Sequence, residues 1–302
     1  MKTQSRMRQS MISGYTFIAP AIIFFVVFIA YPILFIGYGS FFKWSTLSDM
    51  RFVGLGNYVT LFQDDVFGIT LRNSLFWILI TIPVQAFIGF LLAYVIEENL
   101  TKYKSFFRTL FFIPVVTSVV VIAILFKNMF SPYQGLITNI IYSLGVKGPL
   151  DWLGNVHAAI FAIIVVNIWE WTGWSMLLYI AGISQIPEEI KEAADIDGAR
   201  GYKKIIHIFL PSLTSVHKSL MMLGIIGSLQ TFALVYNMTN GGPNSASEMP
   251  GTYIFRMGFK VQQMGYASAI SVIILLIALF FTAFQVLTIG SGNFISKGGS
   301  NE

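Results

Sequence analysis

The sequence predicts an all-α, polytopic membrane protein with six transmembrane helices, and three observations carry that reading. Of its 302 residues, 55% are hydrophobic and 11% are charged, where a soluble domain carries roughly a quarter charged. Mean hydropathy is +0.72, and uncharged stretches recur at span length, a helix needing about 20 apolar residues to cross the hydrocarbon. The stretches are continuously apolar and do not alternate as barrel strands do, so backbone hydrogen bonds must close within each segment. This balance argues against a soluble enzyme.

The first span falls between Arg8 and Lys43, 34 uncharged residues with Tyr15 to Phe41 the most apolar. It is longer than a secretory core and lacks a small-residue cleavage site, so it reads as a retained anchor. The second runs from Asn73 to Ile96. The third covers Thr109 to Phe126, which at 18 residues only just reaches across as one helix. The fourth runs from Ala158 to Ala181 and contains Glu170. The fifth begins after Lys218 and reaches Tyr236, and the sixth occupies Tyr266 to Ile289.

Six spans place both termini on one side. With the N-terminus cytoplasmic, that side holds twelve of the 19 basic residues, as the positive-inside rule prefers. The expected organisation is a cytoplasmic segment 1–12, a membrane domain 13–290 in contact with lipid, and a cytoplasmic tail 291–302. Prolines Pro20, Pro32, Pro83, Pro114 and Pro211 punctuate the spans and are expected to bend them. Gly224, Gly227 and the Ala86–Gly89 region permit close helix packing.

Some chemistry is missing. Cysteine is absent, which removes disulfides and thiolate ligands. His157, His207 and His217 are too scattered for a metal motif, so no metal site is expected. Nothing suggests nucleic-acid binding. No Gly-x-x-x-x-Gly-Lys-Ser/Thr loop is present, and Gly290-Ser291-Gly292 lacks the Lys-Ser/Thr that phosphate binding needs. No catalytic residues are assigned and no cofactor is expected in this chain.

Ile186 to Pro211 is the most informative segment. Pro187 suits a helix start, and Glu188 and Glu189 then complement the helix dipole in the first turn. Gly198 can end that helix in a left-handed conformation. A second helical pattern runs through Tyr202, Ile205, Ile206 and Phe209 to Leu210-Pro211. On composition alone this is a loop beside the membrane, folded as two short helices.

The string Glu192-Ala193-Ala194-Asp195-Ile196-Asp197-Gly198-Ala199, followed by Tyr202, Ile205, His207 and Leu210-Pro211, resembles the EAA loop of bacterial ABC importer permeases. Ile205 stands where many relatives carry Phe. The resemblance extends over most of the chain and points to the maltose-type carbohydrate importers. Gly54, Gly56, Asn57, Tyr58, Leu61 and Phe62 look like the family's first external signature, and Thr239-Asn240-Gly241-Gly242-Pro243 is similar to a later one. It implies a MetI-like permease in the bacterial inner membrane that pairs with a second homologous permease. Two ABC ATPase subunits would bind ATP and magnesium below, and an extracytoplasmic sugar-binding protein would deliver solute from above. Glu192 and Asp197 are then expected as polar coupling contacts and Ala193 and Ala194 as close-packing positions. Gly198 would set the turn and Pro211 the junction with the fifth span.

Glu170 sits among Trp169, Trp171 and Trp174 inside an apolar run. A charge at mid-helix costs roughly 2.5–3.5 kcal/mol on insertion scales, so it must face protein, water or a donor. Aromatic rings cover sugar faces while carboxylates and amides accept hydroxyl protons. Asn167, Trp169, Glu170, Trp174, Gln230, Tyr236 and Asn237 are therefore the candidate substrate path, ordinary helix packing being the competing role for each. Two other functions stay open: an ion-coupled secondary transporter using Glu170, and a permease for a glycerol-phosphate-like solute. A non-transporting structural subunit is a further reading.

Overall fold

The computed structural model describes residues 16–98, 101–146, 148–199 and 201–294. The expected segment 1–12 and residues 295–302 of the expected tail lie outside these, as do Lys147, Arg200 and the terminal Lys2, Arg6, Arg8 and Lys297 counted for orientation. Two compact units divide the chain: residues up to Gln63 with Ile254–Ile273, and Asp64–Tyr253 with the residues from Ile274 on.

The first unit opens with α1 (Thr16–Gly39), apolar on every face, with no buried residue across its most apolar window. Pro32 has no amide hydrogen to offer the carbonyl four residues back. The helix answers by widening into a π turn at Val26–Ala30, where Tyr31 N–H reaches Val26 O. A hairpin that the all-helical reading did not anticipate follows, β1 (Phe42–Ser45) antiparallel to β2 (Ser48–Phe52). Helix α2 (Gly56–Phe62) braces it. Asn57 Nδ2 donates to the carbonyls of Ser40 and Phe42 at 2.8 and 2.9 Å, and the Tyr58 and Ser40 hydroxyls lie 2.7 Å apart. These two signature residues thus fasten the hairpin to the end of α1.

In the second unit α3 (Asp65–Glu97) starts where the Asp64 carboxylate accepts from Val66 N and Phe67 N, satisfying amides that the first turn leaves free. Helices α4 (Lys104–Val116) and α5 (Val119–Met129) meet at 94°. A bend was expected from Pro114; its size divides in two the third span, which was expected as one helix from Thr109 to Phe126. Pro114 withholds a donor in the last turn of α4, and the β-branched run from Thr117 favours the extended backbone seen at Thr117 and Ser118. After α6 (Leu136–Ser143) comes α7 (Ala159–Ile183), more than half buried across its window.

Helices α8 (Glu188–Ile196) and α9 (Tyr202–Ser212) form the expected hairpin, and α10 (Thr214–Leu229) leaves it at a 67° bend on Leu213. This bend precedes the expected start of the fifth span after Lys218 and falls beside Pro211, the expected junction; the span itself runs within α10. It ends at Leu229, and Tyr236 lies beyond it in α11 (Ala233–Met238). Before Pro211 the chain repeats the device used at Pro32, with a π turn at Ile205–Phe209. Helix α12 (Pro250–Phe255) and a π turn at Arg256–Lys260 lead to α13 (Met264–Phe294), which takes in residues 291–294 of the expected tail.

Helix α7 packs chiefly on α3 and also on α4. Small residues set the distance: a Cβ on Gly89 would lie 2.7 Å from Ser175 Cβ, and one on Gly173 would lie 2.0 Å from Phe111 O. In lipid, where apolar surface is no worse off outside than inside, such close approach is what holds helices together. One apolar cluster gathers Trp77, Ile122, Ile163 and Val235. A second gathers Phe90, Met176, Tyr179 and Phe209, joining the end of α3 to α7 and the hairpin.

Candidate functional site

The hairpin is built locally and then anchored at a distance. Gly198 takes φ +74°. Ala199 N–H reaches Ala194 O at 2.8 Å and Gly198 N–H reaches Asp195 O at 3.2 Å, the paired bonds that close a helix on a left-handed residue. Ala194 is buried, whereas Glu192, Ala193, Asp197 and Gly198 are exposed. Pro211 lies two residues before the Leu213 bend.

What anchors the hairpin is Lys204, its side chain 8% exposed. Its Nζ donates to Asp195 Oδ1 and Oδ2 at 3.0 and 3.1 Å and pairs with Glu98 Oε2, at the end of α3, at 3.2 Å. Burial alone would lower the pKa of this ammonium. The hydrogen bonds and charges of Asp195 and Glu98 outweigh it and hold the group above the ordinary lysine value. Phe209, fully buried, meets the edge of Tyr94 at 5.3 Å. Sequence reasoning counted Lys204 only as a basic position, because Glu98 belongs to a remote span.

A cavity of about 470 Å³ opens among α3, α7, α10 and the segment after α10. Trp77, Thr81 and Gln85 line it from α3 and Asn167, Glu170, Trp171 and Trp174 from α7, each set at helical spacing on one face. Gln85 Nε2 donates to Asn167 O and Oδ1, both at 3.1 Å. Glu170 is 5% exposed, and among the described residues none forms a hydrogen bond or ion pair with its side chain. Among the described residues, no lysine or arginine lines the cavity. A Cβ on Gly224 would lie 2.6 Å from Ile82 Cγ1, while at Gly227 it would meet nothing within 4 Å; of these two lining glycines, one serves packing and the other leaves the wall open.

Of the expected path residues, Asn167, Glu170, Trp174 and Gln230 line this cavity. Trp169, Tyr236 and Asn237 do not. Trp169 sits elsewhere around α7, 5.1 Å from the Phe126 ring. Tyr236 stacks on Phe232 at 5.1 Å, and Asn237 Nδ2 bonds back to Ala233 O at 2.7 Å. Trp171, Gln85, Trp77 and Thr81 were missed as lining residues. The repeat 77/81/85 and the match of 171 to 167 and 174 could have found them.

Spans that pack through small residues around a polar and aromatic cavity, with a two-helix hairpin paired to the end of α3, are what a membrane passage requires. The chain belongs to the family of binding-protein-dependent transport system inner membrane components, whose model matches residues 85–288. It is 37% identical over 281 residues to a probable ABC transporter permease, YurN, of Bacillus subtilis, covering 92% of this chain and 96% of that protein. It is 33% identical to the lactose transport system permease LacF of Rhizobium radiobacter (91% and 93% covered) and 34% identical to the arabinooligosaccharide permease AraP of Bacillus subtilis (92% and 88%). A chain of a bacterial ABC transporter involved in alginate import shares the fold, with a TM-score of 0.81, 24% identity and full coverage of both chains. This chain is thus a membrane-embedded ABC transporter permease, a non-catalytic subunit.

Proposed function

We propose that this chain forms one half of the passage of a sugar or oligosaccharide importer in a bacterial inner membrane, with both termini cytoplasmic. A second homologous permease completes the passage, two ATPase subunits bind ATP and magnesium, and an extracytoplasmic binding protein delivers the sugar. The observation that carries this reading is the composition of the cavity. Indole faces of Trp171 and Trp174 can cover the apolar side of a pyranose, while Glu170, Asn167, Gln85 and Gln230 supply acceptors and donors for its hydroxyls. The relatives named for lactose and arabinooligosaccharides support the same class.

Mechanically, ATP-driven closure of the ATPases moves the hairpin and with it the helices around the cavity, which alternately faces each side. Exposed Glu192 and Asp197 contact the ATPase, exposed Ala193 allows its close approach, and buried Ala194 packs the hairpin. Gly198 shapes the turn and Pro211 precedes the bend into α10. The membrane domain is taken as 13–290 with the hairpin at 186–211. A sugar phosphate is disfavoured because, among the described residues, the lining carries a carboxylate and no basic side chain, and the ion-coupled reading of Glu170 is disfavoured by the family.

Two measurements test this. In the reconstituted complex, ATP hydrolysis across a sugar panel should be stimulated by one sugar class together with its binding protein; uptake by this chain alone would sink the proposal. Separately, a Glu192→Cys variant should crosslink to an ATPase subunit.

A further inference from the structure

The hairpin reaches the cavity along the chain through the bent α9–α10 pair, and the structure contains a second, more direct connection. We propose that Lys204 is a positioning residue that locks the hairpin to the end of α3, so that ATPase motion enters the cavity wall through α3 as well as α10. The inference rests on the reading of the hairpin as the ATPase contact.

Lys204 has three donors, and their partners lie on two elements: both Asp195 oxygens on α8 and Glu98 at the end of α3. Within the hairpin Asp195 holds Lys204, and across to α3 Glu98 does; displacing the hairpin from α3 would break the Lys204–Glu98 pair, whose side chains are only 8% and 19% exposed, and removing one partner of such a shielded pair is costly. Tyr94 and Phe209 add a ring contact between the same two elements. Helix α3 then runs without a break to Gln85 and, past Pro83, to Thr81 and Trp77 on the cavity. The α9–α10 route, by contrast, passes through a 67° bend. A continuous helix clamped at one end transmits displacement that a bend can absorb.

The test uses the complex with its partner permease and ATPases and needs no knowledge of the sugar. Because the chain has no cysteine, Thr231→Cys gives a single thiol on the cavity lining, and the probe is the ATP-induced change in its rate of maleimide labelling. Adding Lys204→Met should shrink that change about fivefold or more while ATP hydrolysis and the Glu192→Cys crosslink persist. Lys204→Arg, which keeps the charge and reaches both carboxylates, should restore it. A full response in Lys204→Met would overturn the lock, whereas loss of the Glu192 crosslink in the unmodified hairpin would overturn the underlying reading instead.

A second measurement covers failed assembly of Lys204→Met. In a chain that keeps Thr231, with Glu98→Cys and Lys204→Cys bridged by a short bis-thiosulfonate, the response, read here as the ATP-induced change in tryptophan fluorescence, should survive and then vanish when a reductant cleaves the bridge. A bridge that abolishes the response would mean that the hairpin slides against α3, and the proposal would be wrong.

Discussion

Helices α1 and α7 are both long enough to cross a membrane, and α1 is the more apolar, yet it has no buried residue in its span window while α7 is more than half buried. In water the order would be reversed. Lipid makes apolar surface indifferent to burial, so what sorts helices is shape and polarity. Helix α7 carries Gly173, Ser175, Thr172 and Glu170 on buried positions, whereas α1 presents Phe17, Phe24 and Phe28 outward. Burial within this chain therefore marks function better than hydropathy does.

The sharpest way to break that contrast is to enlarge one glycine on each helix. Gly173→Leu should destabilise the protein by about 3 kcal/mol, because a backbone carbonyl stands 2.0 Å from its missing Cβ. Gly37→Leu on α1, with nothing within 4 Å, should change stability by no more than about 0.5 kcal/mol. Thermal unfolding in detergent compares them, and equal losses would remove the distinction.

Next in size, Glu170→Leu should lower solute uptake about tenfold, a loss equal to about 1.4 kcal/mol, with insertion and basal ATP hydrolysis retained. Glu170→Gln should keep part of the uptake through its remaining acceptor. Smaller still, Phe24→Ala on α1 should leave uptake within about twofold; a collapse of uptake would show that this face is covered and needed.

The smallest effect concerns pH. The raised Lys204 group contributes its full stability below the ordinary lysine pKa and loses it only as pH rises through the raised value. Hairpin amide protection, corrected for intrinsic exchange, should thus stay flat from about pH 6 to about pH 9. A fall in that window would assign the hairpin's stability to another group.

The sequence was most informative where structure is local. Pro187 and Gly198 announce α8 and its end because capping and left-handed turns are decided by neighbouring residues. The bends at Leu213 and at Thr117 and Ser118 were announced only by Pro211 and Pro114, two and three residues upstream, and their size was not legible because proline in a membrane helix is usually accommodated. The β1–β2 hairpin was masked by its aromatic residues. Cavity residues on α7 were legible through Glu170, the charge that an apolar run does not explain, while those on α3 became visible only through packing.

Gly227 has a consequence of its own. Its missing side chain faces vacant room, so bulk added there would subtract from the chamber without prying helices apart. On the proposed reading of the cavity as the sugar's passage, size preference for the cargo is then open to retuning by a single codon, leaving the scaffold that surrounds it as it stands.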